Sequence, residues 1–270
     1  MARRDRFRCC GVRIDDLGPE AAVAALLESR YGQPRRVHLC NSYNLAIAMQ
    51  NPHYRDLLNA SDLNLADGHY VALVGRWRGF TAMTDRVYGP DLMLNAMDRG
   101  RSVGLRHYLY GTTPETVNRL AAVLHERFPG VDIVGVQAPP FRELTPEEEA
   151  DLHERVAAAK PDIVWVGIGT PRQDEFVARQ AAHLRCTLVP VGAAFDFHAG
   201  TKKAAPRAVQ RIGMEWLFRL ITEPRRLWRR YLIGIPIFLY GVLADVFRRE
   251  NPPEATTPGE RLASTSSEEA

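Results

Sequence analysis

The chain has 270 residues, 46% of them hydrophobic and 25% charged, which is ordinary for a globular protein and leaves room for one large domain or one domain with an appendage. A net charge of +3 makes no global case for a nucleic-acid partner. Cys9, Cys10, Cys40 and Cys186 form no C-x-x-C pattern, and no apolar stretch follows the basic N-terminus, so a reduced cytosolic protein without a signal peptide is expected.

In chain order, residues 11–16 read as a first short strand, and Pro19 opens a helix through Ala21 to Leu27. Val37 to Asn41 is the next strand, followed by a helix over 42–50 and a second one that restarts at Asn51-Pro52. Asp62-Leu-Asn-Leu65 alternates polar and apolar, as a strand facing two environments would. Asp67 falls at the end of that strand, Gly68 lets the backbone turn, and Tyr70–Trp77 reads as a helix. Arg86 to Met93 turns into a helix that runs towards Arg99. From there strands at 105–110, 131–136, 162–167 and 187–191 alternate with helices at 115–127, 146–159 and 172–184. Thr145 with Glu148 forms a capping box. This rhythm predicts right-handed βαβ units: an α/β, Rossmann-like parallel sheet with helices on both faces.

After about Ala205 no further strand is expected. One helix from Pro206 to Thr222 leads through Glu223-Pro224 into another, which Pro236 interrupts. The expected organisation is a catalytic unit over 1–204, a basic helical appendage over 205–250 and a disordered tail over 251–270, rich in Pro, Glu, Ser and Thr. The longest apolar run, Leu232 to Ala244, is shorter than the roughly 20 residues of a spanning helix.

Asn41, Asp67, Gly111, Gly167, Gly169 and Gly192 all fall at predicted strand C-termini, which in a parallel sheet converge on one edge. A floor of backbone N–H groups and helix N-termini there suits a nucleotide diphosphate, with the Gly111-Thr-Thr-Pro and Gly167-Ile-Gly169-Thr-Pro turns as phosphate candidates. Neither turn is a dinucleotide fingerprint or a P-loop. Asp67 is either a site carboxylate or a cap for the helix that follows it. Asp196, between two phenylalanines, is either a second site carboxylate or a structural acceptor. Scattered histidines and the lack of a D-x-D pair argue against a metal, and no G-x-S-x-G suggests a serine hydrolase.

Between Arg207 and Arg230 stand seven arginines (207, 211, 219, 225, 226, 229, 230) against Glu215 and Glu223. Arg219, Arg226 and Arg229 share a face if the helix runs on past Pro224. Interleaved Trp216, Trp228 and Tyr231 suit a surface that meets anionic lipid headgroups, and arginine suits a diphosphate. No nucleic-acid module accompanies the charge.

Taken together, six ordered stretches resemble the WecG/TagA/CpsF family of bacterial glycosyltransferases. They are Asp67-Gly68; Arg86-Val-x-Gly89-x-Asp91-Leu; Tyr110-Gly111; Gly167-x-Gly169-x-Pro171-Arg-Gln173-Asp174; Phe195-Asp196-x-x-x-Gly200; and Ala205-Pro206 running on to Glu215-Trp216, Arg219, Glu223-Pro224 and Arg226. The likeness covers roughly 11–232. It implies an inverting, metal-independent and cofactor-free hexosyltransferase. Such an enzyme moves a sugar, often of N-acetylmannosamine type, from a UDP-sugar to a polyprenyl-diphosphate-linked acceptor at the inner face of the cytoplasmic membrane, in cell-surface polysaccharide synthesis.

By the same resemblance Asp67 is the general base and Asn41 helps hold a sugar. Arg86, Gly89, Asp91, Gly111, Gly169, Gln173 and Asp196 bind substrate, and Arg219, Arg226 and Arg229 approach the diphosphates from a peripheral, membrane-associating appendage. Homo-oligomers are compatible with it. Leu39, Asp174 and His69-Tyr70 depart from the family pattern, which bears on the sugar more than on the reaction type. Two other readings are a soluble nucleotide-binding, oxidoreductase-like enzyme and a non-catalytic membrane-surface scaffold.

Overall fold

The computed structural model describes residues 5–32 and 34–247; the expected tail over 251–270 lies outside the described residues. Four parallel strands form the centre in the order β6 (Asp132–Gln137), β5 (Arg106–Gly111), β7 (Ile163–Gly167), β8 (Thr187–Pro190). A second parallel pair, β3 (Val37–Cys40) and β4 (Leu63–Ala66), continues this layer beside β8 through a parallel bridge between Arg36 and Leu188. The Leu188 N–H donates to the Arg35 carbonyl at 2.9 Å across that seam. The expected α/β class and parallel sheet are therefore observed.

The N-terminal strand is a correction. It belongs to an antiparallel hairpin, β1 (Arg6–Cys9) with β2 (Val12–Asp15), turning at Cys10 and Gly11, both with positive φ. A cysteine in a left-handed turn carries no sequence signal, so nothing in the sequence marks β1 as the partner of β2. The hairpin lies against β4, where Asp15 Oδ2 accepts from the Asn64 N–H at 2.8 Å. Strand β4 does not face two environments: Leu63, Asn64, Leu65 and Ala66 are all buried. Asn64 is tolerated inside because its amide donates to the Arg13 and Leu58 carbonyls.

Helices cover both faces. One core packs α1 (Pro19–Leu27), α5 (Gly89–Gly100), α6 (Pro114–Arg127) and α9 (Ala194–His198) on Leu39, Leu65, Trp165 and Val189. The other face carries α7 (Pro146–Ala159) and α8 (Arg172–Gln180) on Val164, Val166 and Leu188. A third cluster joins the hairpin to α2 (Ser42–Gln50), α3 (Pro52–Asn59) and α4 (His69–Trp77). All four cysteines are free and buried.

The expected single helix from Pro206 to Thr222 is two, α10 (Arg207–Arg211) and α11 (Glu215–Thr222). Gly213 breaks it with φ +75, and a Cβ there would stand 2.7 Å from the His69 ring, so glycine is needed both for the turn and for the close approach. Glu223 leaves the helical region before α12 (Pro224–Trp228). The chain then continues as one helical body to Phe247: a π turn over Arg229–Ile233 passes into α13 (Gly234–Phe247). Pro236 does not interrupt it: it stands as the third residue of α13, directly after the π turn. The resulting Pro224–Phe247 helix is long and apolar enough, by length and composition, to cross a membrane, unlike the short run read from sequence. Gly234, Phe238, Gly241 and Asp245 form its buried face.

Candidate active site

Two adjoining pockets, of about 570 and 620 Å³, open where the C-terminal ends of β3, β4, β7 and β8 meet the C-terminal helices. Six residues line both: Asn41, Asp67, Tyr88, Glu215, Arg219 and Arg230. Asn41, Asp67 and Arg219 are expected here from the sequence. Tyr88, Glu215 and Arg230 have no role assigned by it.

Asp67 does not cap α4, whose N-cap is Gly68 and which has no side-chain cap. Its Oδ1 instead accepts from the Gly89 N–H at 3.0 Å, at the first residue of α5. Its Oδ2 accepts from Asn41 Nδ2 at 3.5 Å. The Asn41 side chain is fixed in that orientation by its own helix. Its Oδ1 caps α2 by accepting from the Tyr43 and Asn44 N–H groups, which leaves the amide NH₂ facing Asp67. Gly89 is glycine because a Cβ would stand 2.7 Å from Leu39 Cδ1. Burial pushes the Asp67 carboxyl above its ordinary range; Arg86 and the Gly89 N–H pull it back in part, and Glu215 raises it. An ionised carboxylate of raised proton affinity is suited to accept a proton near neutral pH.

Arg86 sits on the rim of the first pocket, stacked 4.2 Å over the Tyr88 ring. Its Nη2 donates to Glu215 Oε2 at 2.9 Å and to Gln210 Oε1 at 3.2 Å.

The second pocket has the expected glycine turns at its base, Gly169-Thr170 and Gly192, but their N–H groups are already engaged. The Gly169 N–H donates to Gln173 Oε1 at 3.2 Å and that of Gly192 to the Val166 carbonyl at 3.3 Å. Gln173 also donates to Thr170 Oγ1, so it braces the turn from within. The positive charge comes from side chains instead: Arg219, Arg226 and Arg230 line this pocket. The Nε atoms of Arg219 and Arg230 are buried without a hydrogen-bond partner among the described residues. Arg230 lies 4.5 Å over the Tyr43 ring, and its guanidinium loses proton affinity through burial and the neighbouring Arg219. Two neighbouring cations with unmet Nε donors suit an anion.

Four expected site residues lie elsewhere. Gly111 is outside both linings; a Cβ on it would meet the Gly167 backbone at 2.6 Å, so it serves the close approach of β5 and β7. Asp91 is exposed and lines a separate cleft with Arg207 and Arg211. Asp196 is a structural acceptor, paired with Lys202 Nζ at 2.9 Å and with Thr201. Arg229 is exposed, 5.2 Å over the Trp228 ring, because the break at Glu223 and the π turn bring Arg230 inward in its place.

A carboxylate of raised proton affinity at the C-terminal edge of a parallel sheet, beside a cluster of arginines, lies where open α/β enzymes keep their chemistry. The sequence model of the family described as "Glycosyl transferase WecG/TagA/CpsF family" matches residues 7–252, and the chain belongs to that family. It is a glycosyltransferase. A relative from Bacillus spizizenii (strain ATCC 23059 / NRRL B-14472 / W23), N-acetylglucosaminyldiphosphoundecaprenol N-acetyl-beta-D-mannosaminyltransferase, is 32% identical over 198 residues, covering 73% of this chain and 74% of the relative.

Proposed function

We propose that the protein transfers an N-acetylmannosamine-type sugar from a UDP-sugar to a polyprenyl-diphosphate-linked acceptor, with inversion and without a metal, at the inner membrane face during cell-surface polysaccharide synthesis. The observation that carries this reading is the pairing across one crevice of Asp67, raised in proton affinity, with Arg219 and Arg230, whose Nε donors have no partner. The name of the relative supplies the sugar and the acceptor class.

In this reading the donor diphosphate lies in the pocket lined by Arg219, Arg226 and Arg230, above the Gly169 turn. The acceptor sugar enters the adjoining pocket, with a hydroxyl on Asp67. Asp67 takes the hydroxyl proton as the oxygen attacks the anomeric carbon from the face opposite UDP. The bond from that carbon to the UDP oxygen breaks, and UDP leaves with the electron pair. Arginine charge in a sheltered site stabilises the diphosphate as it departs.

The membrane side of the proposal rests on the outer face of the Pro224–Phe247 helix. Leu232, Leu239, Tyr240, Leu243 and Phe247 are exposed along it, beside Arg225 and Arg229 near its start. The test is transfer from UDP-N-acetylmannosamine to a short-chain polyprenyl-diphosphate-linked N-acetylglucosamine, with UDP binding measured in parallel. Turnover lost in Asp67→Asn with UDP binding kept supports the reading. No transfer by the wild type, or stabilisation by NAD and not by UDP, overturns it.

A further inference from the structure

We propose that Glu215 is a positioning residue for the base, holding the Arg86 guanidinium on itself and away from the Asp67 carboxylate. The proposal rests on the reading of Asp67 as base.

Asp67, Arg86 and Glu215 line one pocket, and the guanidinium is hydrogen-bonded to Glu215. Arg86 donates to Glu215 Oε2 at 2.9 Å, and both side chains are largely buried, 12% and 13% exposed. Tyr88 Oη donates to the other Glu215 oxygen at 3.3 Å, which fixes the carboxylate plane. Asp67 has different partners, the Gly89 N–H and the Asn41 amide. The charged or titratable side chains that line the two pockets with Asp67 are Tyr43 from α2, His69 and Tyr70 from α4, Arg86 and Tyr88 from the segment before α5, Glu215 and Arg219 from α11, Arg226 from α12, and Arg230 and Tyr231 from the π turn.

A guanidinium seated directly on a carboxylate lowers its pKa by about one to three units and makes it a poor proton acceptor. Glu215 counters this in two ways: it occupies Arg86, and its own negative charge favours a proton on Asp67. The directions of the shifts on Asp67 agree, with Arg86 lowering its pKa and Glu215 raising it. Because Glu215 opens α11, the setting of the base depends on the C-terminal helices as well as on the sheet.

The test is the pH dependence of kcat, with thermal unfolding as the control for folding. In Glu215→Gln the acid limb is expected to move to lower pH by about one unit as Arg86 turns to Asp67. The plateau kcat is expected to fall as the pH limb moves. Glu215→Asp, which keeps the charge, restores the limb towards its wild-type position, and adding Arg86→Met to Glu215→Gln drives it upward again. A folded Glu215→Gln enzyme with an unmoved limb overturns the proposal.

If Glu215→Gln does not fold, Arg86→Met alone carries the test on its residual turnover. Its limb must rise, and a limb that stays in place overturns the proposal. Asp67→Asn run alongside separates the two readings: near-normal transfer by that variant removes Asp67 as base, whatever Glu215 does.

Discussion

The Gly89 N–H donates to Asp67 Oδ1 at 3.0 Å, so the carboxylate at the end of β4 is fastened to the start of α5 and not to the helix that follows it in sequence. The partial positive charge at the start of α5 steadies the ionised form, but burial outweighs it and the pKa of Asp67 stands above its ordinary 3.8. Between the unfolded and the folded pKa the native state holds a proton that the unfolded chain has released. Stability therefore falls as pH rises through that window, and at pH 8 the ionised carboxylate is a net cost. Asp67→Asn is expected to lower kcat by about 10²–10⁴ while leaving the unfolding temperature at pH 8 equal to or above that of the wild type. Transfer assays and thermal melts at pH 5 and pH 8 check both halves.

Arg230 and Arg229 are neighbours with opposite surroundings. Arg230 lines the crevice and has a buried Nε without a partner, whereas Arg229 is exposed over Trp228. Arg230→Ala is expected to weaken UDP binding by about ten- to a hundredfold, the worth of one charge-assisted hydrogen bond. Arg229→Ala is expected to change it by less than about twofold, as exposed cations do. Calorimetric titration of the two variants decides between this arrangement and the one expected from helical spacing.

That pair also shows where sequence reasoning reaches its limit. The strand ends, Asp67 and the arginine-rich helices are legible, because strand and helix periods and the parallel-sheet rule are local and repetitive. Which arginine points inward is not, since it depends on the break at Glu223 and on the π turn over Arg229–Ile233. The partner of Asp67 is illegible for another reason. It arrives from a helix 22 residues further along the chain, through a backbone N–H that every residue but proline carries.

Gly111, a phosphate candidate by its sequence, lies outside both pocket linings and packs closely on Gly167. A Cβ on it would meet Gly167 backbone atoms at 2.6–2.7 Å, and no side-chain rotation relieves a clash with main chain. Gly111→Ala is expected to cost about 1–3 kcal/mol of stability by forcing β5 and β7 apart. KM for the UDP-sugar in the folded fraction is expected to stay near the wild-type value. Denaturant unfolding together with steady-state kinetics separates this from a binding role, in which KM would rise and stability would hold.

The helix from Pro224 to Phe247 has two faces that call for opposite results. Gly241 is buried against the hairpin and α2, where a Cβ would stand 2.7 Å from Cys10 Sγ and 3.0 Å from Met49 Sδ. Leu239 and Leu243, on the other face, are 52% and 56% exposed. Gly241→Leu is expected to lower the unfolding temperature by overpacking that seam. The double variant Leu239→Glu, Leu243→Glu is expected to leave folding intact while sharply reducing sedimentation with vesicles containing anionic lipid, since two charges replace apolar contacts at the headgroup boundary. Its transfer rate to a short-chain, water-soluble acceptor is expected to match the wild type, and its rate on a long-chain acceptor held in vesicles is expected to fall. Equal loss on both acceptors would place the exposed leucines in the catalytic machinery instead of at the membrane.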